Sequence, residues 1–177
     1  MSRYTSRIHV LNLVYQIPFH AEWDESLLNA AIVQYLADLP DLEEYLPDLL
    51  EYMPTIKALN EAGIGKDISP VESDREFIFD EVSGTFCNLA QIDGLISDFL
   101  KDWELGRIAK IDLALLRLAV YEMRFSEDEG LSTATAINQA VELAKIYNGS
   151  PGFVNGILGQ IDRQSQKSHK GKNDGAL

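Results

Sequence analysis

Hydrophobic residues in the second half of the chain recur at helical spacing in three successive segments. The first segment runs from Ile111 to Met123, the second over residues 137–144 and the third over residues 154–161. Apolar positions three, four and seven residues apart lie on one face of an α-helix. The joints between the segments are short, so each helix must bury its apolar face against its neighbours. The pattern therefore predicts three amphipathic helices that pack on one another.

The joint between the second and third of these helices carries its own signals. Asn148 and Gly149 are residue types that close a helix through a left-handed backbone conformation. Ser150 is a typical helix cap, and Pro151 fits the first turn of the helix that follows. We expect one helix to end and the next to begin within these four residues.

Helical patterning also covers most of the first half of the chain. A helix is predicted over residues 4–17, ended by Pro18, and a second over about residues 24–37, with Asp24 as its cap. After a loop rich in glycine and proline, helical spacing resumes at about residue 71 and continues to residue 99.

Between residues 38 and 70 the chain contains an acidic tract with a short internal repeat. The sequence LPDLEEY at residues 39–45 is followed by LPDLLEY at residues 46–52. Proline every seven residues does not fit one regular helix, because each ring removes a backbone hydrogen bond and clashes with the preceding turn. The repeat predicts short helical turns, each begun by its proline, that cover the core as a lid. An acidic surface for a basic partner is the alternative.

Composition limits the classes of function. The chain of 177 residues with 46% hydrophobic content is long enough for one domain with a substantial core, and no apolar run is long enough to span a membrane. No signal-peptide segment is recognisable, so we expect a cytoplasmic protein.

The single cysteine, Cys87, excludes an internal disulfide, and its apolar neighbours favour a buried thiol. With a net charge of −13, the protein needs a local basic patch or a basic partner to bind RNA.

The inventory of catalytic and metal-binding motifs is poor. The three histidines, His9, His20 and His169, are scattered and have no metal-binding spacing. No glycine-rich phosphate loop, nucleophile elbow or Cys/His pair occurs. The sequence therefore predicts a protein that is not an enzyme and that holds no metal or cofactor.

Three blocks in the second half of the chain carry a resemblance to a known family. They read AKIDLALLRLAVYEM at 109–123, AINQAVELAK at 136–145 and FVNGIL at 153–158. In this order they resemble the C-terminal half of the NusB transcription antitermination factors, and DGLISDFLKDW at 93–103 is also similar to that family. The resemblance extends over about residues 74–161 and returns at the first helix. It implies an all-α, compact bundle of about seven or more helices, into which the acidic tract is inserted.

The resemblance also implies a function. NusB proteins bind single-stranded RNA with a boxA-type signal jointly with the ribosomal protein NusE, and the complex acts on RNA polymerase, notably on ribosomal RNA operons. It implies a NusB-like RNA-binding domain over residues 1–162, and composition predicts a basic, disordered tail over 163–177. Arginines would hold phosphates, and aromatic side chains would meet or stack bases. The RNA-binding residues implied by the family motifs are Arg3, Arg7, Tyr15, Asp112, Lys145 and Phe153.

Two departures from the family pattern leave alternatives open. Residues 4–6 are Tyr, Thr and Ser where relatives often have consecutive basic residues, and the loop at 148–152 lacks the acidic residue common before the phenylalanine. The arginines of the first helix are alternatively solvated, Asp112 alternatively caps its own helix, and Phe153 alternatively packs in the core. A protein-binding adaptor without RNA recognition is the first alternative function. The RNA-binding domain of an RNA cytosine methyltransferase is the second, and the chain length disfavours it.

Overall fold

The described part of the chain is entirely helical. The computed structural model describes residues 3–16, 24–37, 72–100, 103–126 and 131–173, and no β-strand occurs in these ranges. The helices are α1 (Arg3–Gln16), α2 (residues 25–37), α3 (Glu72–Cys87), α4 (Leu89–Ser97), a short 3-10 helix (Leu105–Arg107), α5 (Lys110–Arg124), α6 (Thr133–Ile146) and α7 (Pro151–Asn173). The predicted all-α fold with about seven helices is confirmed. The acidic insertion predicted at about 38–70 lies outside the described residues.

The chain divides into two compact units, residues 1–87 and 88–177. Helices α1, α2 and α3 belong to the first unit, and the remaining helices belong to the second. The sequence predicted one domain over residues 1–162, and the boundary between the units lies within that range, at the joint between α3 and α4. None of the described helices is both long enough and apolar enough to cross a membrane.

In the first unit, α1 packs against α3. The predicted apolar stripe of α1, formed by Ile8, Leu11 and Val14, is buried. The cap of α2 is confirmed, because the Asp24 Oδ1 atom accepts a hydrogen bond of 2.9 Å from the backbone N–H of Leu27. Local sequence signals therefore account for where α2 begins and for which face α1 buries.

In the second unit, α5 is the central helix. It packs against α4, α6 and α7, and most of its residues are buried. The three amphipathic helices predicted from the apolar pattern thus pack on one another as expected. A bidentate ion pair fastens α4 to α5, in which the Arg117 guanidinium donates to both carboxylate oxygens of Asp93 at 2.8 and 2.7 Å.

The joint between α6 and α7 has the predicted form. Asn148 has a φ angle of 53°, and the Gly149 N–H donates a 2.8 Å hydrogen bond to the Ala144 carbonyl. This is the Schellman arrangement that closes a helix. Pro151 is the first residue of α7, and the Ser150 carbonyl accepts a bond of 3.0 Å from the Val154 N–H.

Helix α7 continues to Asn173, past residue 163, where the composition predicted the start of a disordered tail. The tail predicted over residues 163–177 stays a prediction. Arg124 at the end of α5 donates to the Ile161 carbonyl at 3.1 Å and to the Ser165 hydroxyl, which fastens α7 past its apolar stretch. Because the helix is already nucleated there, each further residue that is fixed adds one hydrogen bond. The Cys87 thiol, expected to be buried, is exposed at the last residue of α3.

Candidate nucleic-acid interface

Asp112 connects two helices of the second unit. It lies in the first turn of α5, and its Oδ1 atom accepts a 2.7 Å hydrogen bond from the backbone N–H of Ser150, at the start of α7. The side chain is almost completely buried, with only 2% of its surface exposed. A buried carboxylate needs such donors, and the positive ends of two helices favour its charge here. Asp112 therefore bonds to the joint between α6 and α7 and does not cap its own helix through a side-chain bond.

Gly149 permits this close approach. A Cβ atom added to Gly149 would lie 2.5 Å from Asp112 Oδ1 and 3.4 Å from the Ala144 carbonyl oxygen. The first distance is too short for two non-bonded atoms. A side chain at position 149 is therefore incompatible with the hydrogen bond between Asp112 and Ser150.

A groove of about 630 Å³ opens beside this bond. The segment before α5, the first turn of α5 and the first turns of α7 contribute to its walls. Phe153 is half-buried there, whereas its neighbour Val154 is fully buried. The lining residues are Phe99, Leu100, Trp103, Arg107, Ile108, Ala109, Asp112, Ser150, Phe153, Ile157 and Gln160. The structure thus brings together two of the residues that the sequence singled out, Asp112 and Phe153.

Two lining residues, Trp103 and Arg107, were missed by the sequence reasoning. The indole of Trp103 is 60% exposed, and Arg107 is exposed at the end of the 3-10 helix. In the part of the chain that the structure describes, Arg107 forms no ion pair. The signal available in the sequence was the WELGR segment at 103–107, but sequence alone does not show that its tryptophan is exposed.

Lys145 lies away from the groove lining, in the last turn of α6. Its ammonium group is 2.6 Å from Glu142 Oε1, and both side chains are 56% exposed. Exposed pairs of this kind are weak and break readily. Lys145 therefore remains accessible to a phosphate, although Glu142 lowers the positive potential around it.

The residues predicted on the first helix have different environments. Arg7 is buried, and its guanidinium carbon lies 5.6 Å from the centre of the Phe77 ring. The alternative of a solvated arginine is therefore wrong for Arg7. Tyr15 is exposed near the end of α1. The backbone of Arg3 lies in α1, and its side chain is outside the described residues.

His9 belongs to a polar cluster in the first unit. It is buried, and its Nδ1 atom lies 3.0 Å from the Tyr35 hydroxyl, to which Asn12 also donates at 3.3 Å. Burial raises the pKa of Tyr35, and the hydrogen bond from Asn12 opposes that rise. Over the described residues, no group of three or more His, Cys, Asp or Glu side chains is arranged to hold a metal ion. His9 thus participates in packing and hydrogen bonding.

Comparison with known proteins assigns the family. The NusB family model matches residues 55–163. The chain is also 39% identical over 163 residues to the transcription antitermination protein NusB of Acetivibrio thermocellus, in an alignment that covers 91% of this chain and 88% of that protein. The chain belongs to the NusB family. Another transcription antitermination protein NusB, from Syntrophotalea carbinolica, is 48% identical over 91 residues, which is 50% of this chain and 57% of that protein.

The fold agrees with this assignment. A solved structure of NusB from T. maritima superposes with a TM-score of 0.63 and 28% sequence identity, covering 92% of each chain. The resemblance identified from the sequence motifs is therefore confirmed at the level of family and fold. The RNA-binding roles implied for individual residues stay predictions.

Proposed function

We propose that this NusB family member is a cytoplasmic transcription antitermination factor that binds boxA-type single-stranded RNA jointly with the ribosomal protein NusE, on RNA polymerase. It acts on the transcription of ribosomal RNA operons as an adaptor without catalysis or cofactor. The observation that carries the proposal is the position of Phe153, half-buried on the wall of an open groove. An aromatic ring in such a place offers a face on which an RNA base stacks.

The distribution of charge supports the second unit as the RNA-binding part. Of the 15 Lys and Arg residues, 10 lie in residues 88–177, together with only 12 of the 28 Asp and Glu residues. The second unit is therefore close to neutral, and the first unit carries most of the negative charge. Since phosphate contacts dominate the affinity for nucleic acid, RNA approaches the second unit at the lower electrostatic cost. A basic ribosomal protein complements the acidic remainder and supplies the missing positive charge.

One observation favours a second candidate, a protein-protein adaptor that has lost most RNA binding. Arg7 is buried against Phe77, and Lys145 is paired with Glu142. Two of the three cations implied for phosphate contact thus have partners within the protein. On this alternative the chain still binds NusE, but RNA adds nothing to the complex.

Fluorescence anisotropy with a labelled boxA-like RNA tests the proposal, with the full chain and with or without NusE. Phe153→Ala is the informative variant, and we expect it to weaken RNA binding roughly 5- to 150-fold, the usual range for one lost base–aromatic stack. Phe125→Ala is a matched control, because Phe125 is also half-buried but stacks on Tyr121 outside the groove. Arg7→Ala is a poor test, since removing a buried side chain perturbs the fold.

The outcomes separate the two candidates. RNA binding that requires NusE and falls with Phe153→Ala supports the antitermination factor. A stable complex with NusE that binds no RNA in any variant supports the adaptor and refutes the RNA-binding proposal.

A further inference from the structure

We propose that Trp103 and Arg107 form a nucleotide-binding subsite in the groove, in which a single-stranded RNA base stacks on the Trp103 indole and Arg107 contacts the phosphate of the same nucleotide. This inference rests on the proposed function, and it assigns to RNA binding two residues that are not among the RNA-binding residues implied by the family motifs.

The exposure of Trp103 is the first observation behind this subsite. The indole is 60% exposed, although tryptophan is highly buried on average. It lies on the wall of a groove that also contains the aromatic side chains of Phe99 and Phe153. Single-stranded nucleic acid is bound by aromatic platforms of this kind, because every base has a face that stacks without regard to sequence.

The charges in the groove orient a nucleotide. Asp112 is 2% exposed and therefore lies deep, whereas Arg107 is exposed and forms no ion pair within the described ranges. A phosphate is repelled by the deep carboxylate and attracted by the exposed guanidinium, which offers a planar pair of donors. A base is neutral and enters the interior. The arrangement thus favours the base inside and the phosphate outside.

The size and the lining of the groove suit a nucleotide. Its volume of about 630 Å³ is within the range of small-molecule sites, roughly 300–1,000 Å³. Most of its lining residues are apolar and suit the face of a base, and the side chains of Arg107 and Gln160 add polar groups that a nucleotide can bond. A nucleotide has donors and acceptors on its base edges as well as a phosphate. We therefore assign the groove to RNA.

Substitutions at Trp103 and Arg107 test the subsite. In the full chain with NusE, we expect Trp103→Ala to weaken binding of a labelled boxA-like RNA roughly 5- to 150-fold, and Trp103→Phe to restore most of the affinity. Arg107→Gln is expected to weaken RNA binding less than Trp103→Ala does. It is also expected to reduce the slope of log affinity against log salt concentration by an amount that corresponds to about one phosphate contact. Val33→Ala is the control, because Val33 is also a strongly exposed apolar residue, 61% exposed, but lies in the first unit.

RNAs with a single abasic position identify the stacked base. Removing the base at one position of the RNA is expected to weaken its binding to the wild-type chain. The same abasic RNA is expected to bind the Trp103→Ala variant as tightly as the intact RNA does. As a second readout, the chain has two tryptophans, so Trp23→Phe leaves Trp103 as the only indole. RNA binding is then expected to quench its fluorescence through stacking.

The failure of the subsite is distinguishable from the failure of the proposed function. If the wild-type chain binds RNA and Trp103→Ala binds it equally well, the subsite is refuted and the proposed function stands. If Trp103→Ala weakens binding to NusE and leaves RNA binding intact, the groove is a protein-docking site and the subsite is refuted. If the wild-type chain binds no RNA with or without NusE, both are refuted.

Discussion

The strongest structural prediction concerns Gly149→Ala. The new Cβ would lie 2.5 Å from Asp112 Oδ1. The carboxylate must therefore move away from the Ser150 N–H, from which it accepts a hydrogen bond of 2.7 Å. Asp112 is buried, and neither group is then solvated adequately. The substitution therefore acts through a hydrogen bond in which the residue itself takes no part.

The change in the free energy of unfolding caused by Gly149→Ala is the sum of two opposing effects. A hydrogen bond to a charged group contributes about 1.5–3 kcal/mol to stability. Replacing glycine by alanine at a compatible position stabilises by about 0.4–1 kcal/mol, because it restricts the unfolded chain. Gly149 has no positive φ angle, so this gain applies there. We expect a net loss of about 1–2 kcal/mol in the free energy of unfolding.

Urea denaturation followed by circular dichroism measures this loss. Gly156→Ala is the matched control, because Gly156 is an exposed glycine of α7 whose added Cβ meets nothing within 4 Å. This control is expected to raise stability by about 0.5–1 kcal/mol. If Gly149→Ala and Gly156→Ala change stability equally, the steric conflict with Asp112 does not exist and the reasoning is refuted.

A double-mutant cycle identifies the cause. Asp112→Ala leaves the Ser150 N–H without its acceptor, at a cost of about 1–3 kcal/mol. With that side chain absent, Gly149→Ala has no oxygen to displace and is expected to be neutral or slightly stabilising. The two substitutions are therefore strongly non-additive. Additive losses would mean that Gly149 matters for another reason, such as its distance of 3.4 Å from the Ala144 carbonyl.

Three further predictions concern single contacts. Asp93→Ala leaves the buried Arg117 guanidinium without its carboxylate and is expected to lower the free energy of unfolding by about 3 kcal/mol in urea; a loss below about 0.5 kcal/mol would contradict it. Asp24→Ala removes the cap of α2 and is expected to cost about 1 kcal/mol by thermal denaturation, whereas Asp24→Asn retains the cap and the stability. Arg124→Ala removes the donor to the Ile161 carbonyl, so amides of α7 beyond that residue are expected to exchange hydrogen faster, with α6 unchanged as the internal control.

The elements that the sequence predicted correctly depend on local chemistry. The stripes of α5, α6 and α7 repeat at helical spacing, and each helix has a partner only a few residues away in sequence. The joint between α6 and α7 was predictable residue by residue, because Asn148 tolerates a positive φ angle and proline, here Pro151, is favoured in the first turn of a helix. Helix ends of this kind need no knowledge of the rest of the fold.

The burial of Arg7 was missed although a signal for it existed. Arg7 is four residues before Leu11 and seven before Val14, so it shares the face of α1 that packs inside. Arginine is almost never fully buried without a partner, and this general tendency favoured exposure. The Phe77 ring that covers the guanidinium lies on α3, far away in the sequence. A contact of this kind is set by tertiary packing and not by local pattern.

The candidate site was only partly predictable for the same reason. Asp112 and Phe153 were found through the family motifs, whereas Trp103 and Arg107 become recognisable only when the groove exists. The groove is lined in turn by Asp112 and Ser150, which are 38 positions apart and are joined by a hydrogen bond. Asp112 therefore has two roles, since it fixes the start of α7 that carries Phe153 and also lines the space beside it. If an Asp112 variant binds RNA more weakly, the loss can come from either role. A Trp103 variant tests only the contact between the indole and the RNA.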